Sequence, residues 1–203
     1  MTLRTSRGQR IFQGRRAKGQ SNPSPQFIQN QSVARQLNQI LHSILGVVRV
    51  GFTNMTTGQT AANKYFQYNR SNAFDLGTLP DATFLPADFI ISNGTMTPTP
   101  ITGVTSFVAA TGVLTWHWNP ANADSSQLGG DTPILVVHNR TQDKWTQAFP
   151  GVIRSVQPAT YTFDTTFATA GDTVDVYLGW VADPAAANAG TSSKSTYVSV
   201  TAS

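Results

Sequence analysis

A chain of 203 residues, 39% of them hydrophobic, is long enough for one good core with an appended segment, and its lack of cysteine excludes a disulfide framework, a thiolate metal site and a cysteine nucleophile. Charged residues make up only 12% and glutamate is absent, yet the net charge of +4 hides a division: residues 1–74 hold ten of the fourteen Lys/Arg and no acid, while residues 75–203 hold the other four and all ten Asp. A surface so sparsely charged tolerates close contact with copies of itself, and so cationic a leading part calls for an anionic partner: nucleic acid, a membrane surface, or the acidic part of a neighbouring copy.

Residues 1–30 read as a basic extended arm. Arg4, Arg7, Arg10, Arg15, Arg16 and Lys18 are interleaved with Gly, Gln and Ser without hydrophobic periodicity, so the segment has too little apolar surface to order itself. It closes on Ser21-Asn22-Pro23-Ser24-Pro25, whose prolines favour extended backbone. Twenty-five extended residues reach on the order of 80 Å, far enough to cross a subunit boundary. Two uses stay open, phosphate contact without base reading, for which arginine is well shaped, and docking on a neighbouring subunit. The first residues lack the apolar run of a secretory signal, and no stretch approaches the roughly 20 apolar residues of a membrane span. The expectation is therefore a cytoplasmic product without membrane insertion.

A helical region is expected over 31–74. Val33, Leu37, Ile40, Leu41, Ile44, Leu45 and Val48 keep one stripe on a 3.6-residue period, with Asn30 or Ser32 as N-cap and Gly46 or Gly51 as terminator. Seven aliphatics make a wider stripe than the edge of a small sandwich needs, so this helix is expected to serve as an interface with other copies. A second, less regular helix is expected over 60–73, with Ala62, Tyr65, Phe66 and Asn69 inward.

From Phe74 the pattern changes to period 2, with turn residues about every ten positions. Strands are expected at 88–92, 106–109, 113–119, 133–139, 144–149, 159–164, 172–182 and 195–202, a spacing that argues a β-sandwich over 75–203. Leu114, Trp116 and Trp118 share one face of their strand, with Thr115 and His117 on the other. Val174, Val176, Leu178 and Trp180 alternate with Thr173, Asp175, Tyr177 and Gly179, as in a strand with one face in the core. Ile134-Leu135-Val136-Val137 is continuous, as in a central strand.

The order of Asn22-Pro23-Ser24-Pro25-Gln26, Ala34-Arg35, Val50-Gly51-Phe52, Phe66-Gln67-Tyr68-Asn69, Pro80-Asp81 and Ile90-Ile91-Ser92-Asn93-Gly94 continues in Thr115-Trp116, Ile134-Leu135-Val136-Val137-His138-Asn139 and Asp172-Thr173-Val174-Asp175-Val176-Tyr177-Leu178-Gly179-Trp180. That series resembles an uncharacterised domain-of-unknown-function family known mainly from Bacteroidota and their phages. The resemblance covers nearly the whole chain and implies a mainly β fold: an immunoglobulin/fibronectin-like β-sandwich preceded by a basic arm and one or two helices. It transfers no chemistry. The chain departs from the pattern in its dense arginines before residue 19 and in its lack of glutamate.

Residue types that carry catalysis find no supporting pattern. There is no Gly-x-Ser-x-Gly elbow and no phosphate-cradling glycine loop followed by Lys-Ser/Thr; Gly129-Gly130 reads as a turn. His42, His117 and His138 lack a spacing that brings in Asp124, Asp131 or Asp143 as a third metal ligand, although His117 and His138 lie on strands that can be neighbours. Asp164, Asp172 and Asp175 lack a calcium-loop pattern and read as turn and strand-exterior residues. Trp116, Trp118 and Trp180 read as core; Trp145, between Lys144 and Thr146 near a sheet edge, is the surface-contact candidate.

These readings converge on a non-enzymatic structural subunit of a repeating assembly, in particular a phage capsid or virion-associated protein, with no cofactor and no metal. Its partners are copies of itself, with nucleic acid reached through the arm without sequence specificity. It resides in the virion if phage-encoded and otherwise in the cytoplasm. The alternative is an immunoglobulin-like binding module for a cell-surface glycan or protein, and a third reading is a host protein with a cytoplasmic nucleic-acid role.

Overall fold

A computed structural model of the chain describes residues 2–6, 9–13, 22–53, 55–102, 105–119, 130–156, 158–185 and 188–203. At the N-terminus, β1 (Thr2–Ser6) and β2 (Gln9–Gln13) pair antiparallel with Ser6 opposite Gln9. The expectation of one continuous extended arm is corrected here: β1 and β2 run antiparallel to one another, which shortens the arm's reach. Leu3, Thr5, Ile11 and Phe12 carry the β-propensity that the surrounding cations conceal.

Helix α1 (Pro25–Gly51) starts well ahead of the expected boundary at 31. Ser24 is its N-cap, the hydroxyl accepting from the Phe27 N–H at 3.3 Å, and Pro25 opens the first turn. Proline costs nothing there because its missing N–H would go unpaired anyway, so the run that reads as extension is a helix start. Ile44 leaves helical geometry (φ −120°, ψ 16°), and Gln147 reaches in from the sheet, its Oε1 accepting the Val47 N–H at 2.9 Å. Gly46 gives that amide room, since a Cβ there would stand 2.9 Å from Gln147 Nε2. It is a notch inside the helix rather than its terminator, and Gly51 is the last helical residue. Helix α2 (Ala61–Asn72) follows within the span expected for it, capped by Thr60, whose hydroxyl accepts from the Asn63 N–H at 3.2 Å.

Two short strands, β3 (Phe74–Asp75) and β4 (Thr83–Phe84), pair before a 3-10 turn at Pro86–Asp88. The strand expected at 88–92 does not form. Phe89, Ile90 and Ile91 are buried, but side chains take the place of a strand ladder. Asn69, fully buried, donates from Nδ2 to the Ile90 carbonyl at 3.0 Å and accepts the Ile90 N–H at 2.9 Å, while Ser195 Oγ accepts the Ile91 N–H at 3.0 Å. Once side chains satisfy those backbone groups, an apolar run can be buried without a neighbouring strand.

The remaining strands are β5 (Ser106–Val108), β6 (Val113–Trp116), β7 (Thr132–Asn139), β8 (Lys144–Ala148), β9 (Ala159–Thr162), β10 (Thr173–Val181) and β11 (Thr196–Thr201). They form a three-stranded sheet, β5-β6-β9, and a four-stranded sheet, β11-β10-β7-β8, with every pairing antiparallel. This is the immunoglobulin/fibronectin-like β-sandwich, mainly β with two helices ahead of it. Its core joins Phe107, Leu114, Trp116 and Trp118 to Leu135, Val137, Val174, Val176, Leu178 and Trp180.

A second core lies on the other face of the four-stranded sheet. Val33, Leu37, Ile40, Ile44, Val47 and Val48 of α1, with Phe52, Tyr65, Phe89 and Ile91, pack on Ile134, Val136 and Tyr177. The chain is thus three layers deep, and two expectations change. Val33, Leu37, Ile40, Ile44 and Val48 are buried within their own chain, with Leu41 and Leu45 partly so, which removes this stripe as a surface for other copies. β10 is likewise buried on both faces, so Asp175 and Tyr177 are interior rather than strand-exterior residues.

Removing the Asn69 clamp tests how the irregular segment is held. Asn69→Ala leaves the Ile90 N–H and C=O buried and unpaired, and we expect a loss of about 2–3 kcal/mol, read as a lower urea midpoint at unchanged m-value. A loss under about 0.5 kcal/mol would mean water or a shifted backbone replaces the amide.

Candidate functional site: a cleft between helix α1 and the sheet edge

Helix α1 runs along β8, the edge strand, and where their cover is incomplete a cleft of about 380 Å³ opens. Gln36, Gln39, Ile40 and Ser43 of α1 form one wall, and Phe84, His138, Asp143 and Trp145 the other. The antiparallel register of β7 and β8 sets His138 directly opposite Trp145, and their rings stack at 3.9 Å between centroids and 9° between planes. Phe84 and Phe89 meet the same indole edge-on at 6.0 and 5.4 Å. Trp145, expected on the surface, is therefore half-buried and clamped by aromatic neighbours, with part of it lining the cleft.

His138 is buried between two carboxylates. Its Nδ1 stands 3.3 Å from Asp175 Oδ2 and its Nε2 3.4 Å from Asp143 Oδ1, ion-pair distances without hydrogen-bond alignment. Asp175 is fully buried, accepting from Arg140 Nε at 3.0 Å and a second guanidinium nitrogen at 2.5 Å, and from the Tyr197 hydroxyl at 2.9 Å. Burial, the largest single influence, pushes its carboxyl up, but the contacts from His138, Arg140 and Tyr197 together hold it below the ordinary range. Asp143, by contrast, is 90% exposed at the rim, in a left-handed turn conformation (φ 50°) that Asp adopts more readily than most residues. The cleft thus offers amide and hydroxyl oxygens, one exposed rim carboxylate and aromatic walls, an arrangement suited to a ligand that donates hydrogen bonds and carries positive charge.

The family model that matches the chain spans residues 6–198 and is described as a family of unknown function, DUF6266. The chain belongs to DUF6266. No curated protein and no solved structure matches it. In this DUF6266 chain Arg4 and Arg10 lie on the paired strands of the N-terminal hairpin, while Arg7, Arg15, Arg16 and Lys18 fall outside the described residues, as does Asp124. His117 directly follows β6 of the three-stranded sheet, while His138 lies on β7 of the four-stranded one, so the two strands that could have been neighbours are not paired. His42 is exposed on α1. Asp131 is buried against Arg154, 3.3 Å away, at some remove from the cleft residues in sequence and sheet position. Asp164 and Asp172 hold turns, through Thr166 and through Asn139, Gln142 and Thr169 respectively.

Sequence reasoning missed the glutamines of α1 and the His138–Asp175–Arg140–Tyr197 network. One signal was available: a carboxylate between Val174 and Val176, on a strand of otherwise apolar character, needs fixed partners if it is buried. Among the described residues, no helix is long and apolar enough to cross a membrane.

The network fixes an acid dependence of stability. Folding lowers the Asp175 pKa, so the folded state binds fewer protons; its contribution is complete above the unfolded value of about 3.9 and is lost as pH falls through the lower folded value. Asp172, drawn down to about 2 by the Thr169 N–H and by Asn139 and Gln142, acts in the same sense. Urea unfolding from pH 7 to pH 2 should show stability falling below about pH 4, and Asp175→Asn should flatten that slope while costing about 2 kcal/mol at pH 7. An unaltered slope in the variant would show that Asp175 titrates alike folded and unfolded.

Proposed function

We propose that this DUF6266 protein is a non-enzymatic structural subunit of a repeating assembly, most specifically a phage capsid or virion-associated protein, in which the N-terminal arm links the folded body to neighbouring copies or to packaged nucleic acid. The observation that carries the reading is the hairpin β1–β2, set in the most cationic part of the chain. An isolated two-stranded hairpin is at best marginally stable in water, so it calls for a surface or a third strand to lie against. Six cations in the first twenty residues, with no acid before Asp75, direct that surface to be anionic. The rigid two-core body and the sparsely charged exterior fit a building block packed among its own kind, and the resemblance to a family of Bacteroidota and their phages supplies the virion setting.

A second reading, a module that recognises a cell-surface glycan or protein, is favoured by one observation: Trp145 in a cleft edged by amides and a carboxylate.

Size-exclusion chromatography of the full chain and of a variant lacking residues 1–20, at low and high salt and with or without duplex DNA, tests the proposal. A defined large oligomer that is lost on arm deletion supports it, whereas a monomer indifferent to the arm and to salt rejects it in favour of the second reading. If the arm grips nucleic acid with all six cations, log K against log salt should fall with a slope of about −5. A salt-sensitive monomer would point instead to a nucleic-acid role without assembly.

A further inference from the structure

We propose that the cleft between α1 and β8 receives an arginine side chain from the N-terminal arm of a second copy of this chain, the guanidinium pairing with Asp143 beside Trp145. The inference rests on the assembly reading above and names the contact through which the arm would act. Arginine carries five N–H donors and no acceptor, and the cleft presents its complement: the Asp143 carboxylate, the amide oxygens of Gln36 and Gln39, and the Ser43 hydroxyl. Aromatic walls favour a weakly hydrated planar cation over a compact ammonium. The arm holds five arginines to one lysine.

Charge accounting favours the same occupant. Asp175, the other carboxylate beside His138, is already matched by Arg140, and Lys144, next to Asp143 in sequence, donates instead to the Thr166 carbonyl at 2.9 Å. Asp143 therefore stands 90% exposed and, among the described residues, has only His138 at ion-pair distance. His138, 5% exposed, faces Asp143 with Nε2 and Asp175 with Nδ1, so the oxygens of Asp143 turned away from the ring are the acceptors that a donor-rich side chain entering the cleft would meet.

The absence of cysteine makes the test clean. Full-length protein carrying Ala17→Cys, between Arg16 and Lys18, is mixed with full-length protein carrying Gln39→Cys on the cleft wall and oxidised mildly. A disulfide-linked heterodimer is expected, reduced about tenfold or more when Asp143→Asn is added to the Gln39→Cys chain, the loss that follows from removing one charge-assisted pair. Asn keeps the left-handed turn, and an unchanged urea midpoint shows that the variant is folded. Cross-linking indifferent to Asp143→Asn overturns the proposal, as does a double-cysteine chain that closes on itself in place of linking to a neighbour. If deletion of residues 1–20 abolishes assembly while no heterodimer forms, this contact is wrong and the assembly reading stands; if deletion leaves assembly intact, the assembly reading itself fails.

Discussion

The four-stranded sheet has to be covered on both faces, and the rest of the molecule follows from that requirement. Along β7, Leu135 and Val137 point into the sandwich while Ile134 and Val136 point the other way, so a sandwich alone would leave a row of aliphatic side chains in water. Helix α1 meets that row with six buried aliphatic residues. At roughly 1.5–3 kcal/mol for each such side chain, this burial is worth on the order of 10 kcal/mol, which is the scale of a whole domain's stability. No plausible gain from contact with a neighbour compensates for lifting the helix away. The stripe that reads as an interface is therefore committed to the fold, and contacts with other molecules fall to the arm, the cleft and the sandwich exterior.

The way the helical layer is fastened accounts for the unusual composition. Between helix and sheet the chain runs through irregular segments whose backbone groups need partners, and uncharged amides and hydroxyls provide them. Asn69 clamps Ile90, Gln147 enters the kink of α1, Ser192 donates to the Gly51 carbonyl at 2.6 Å, and Gln29 donates to the Asp81 carbonyl at 2.5 Å. An amide both donates and accepts and carries no charge, so burying it costs far less than burying a carboxylate. Gly51 and Gly179 allow the close approach these fasteners require: a Cβ on Gly51 would stand 2.8 Å from the Ile91 carbonyl oxygen, and one on Gly179 would collide with Ser92.

What could be read from the sequence divides along the same line. Seven of the eight expected strands are present within a residue or a few, because alternation and turn residues act locally and the sandwich is built from hairpin-like neighbours. The exception, at Phe89, Ile90 and Ile91, depends on Asn69 and Ser195, twenty and a hundred residues away, which no local pattern announces. The period of α1 was legible but its partner was not: a stripe on a helix says that something covers it, never what. Trp145 was legible as the aromatic at a sheet edge, yet its stacking on His138 and the glutamine wall opposite arise only when register and helix placement are fixed together.

That committed core also bears on how the charge division can act. Among the described residues, the Lys/Arg in ion pairs are Arg140 and Arg154, and both pair with aspartates of the sandwich. Arg35, Arg49 and Arg70 stand exposed on the helical layer, on the same side of the sequence as the arm. At physiological ionic strength the Debye length is only about 8 Å, shorter than the width of one helix with its side chains. A general attraction between a positive half and an acidic half of two molecules is thus largely screened, and sets neither orientation nor register. Recognition has to come from charges brought into contact and shielded from water by the contact itself, and an exposed carboxylate at the rim of an aromatic-lined cleft that a partner side chain can fill meets that condition better than a flat surface does.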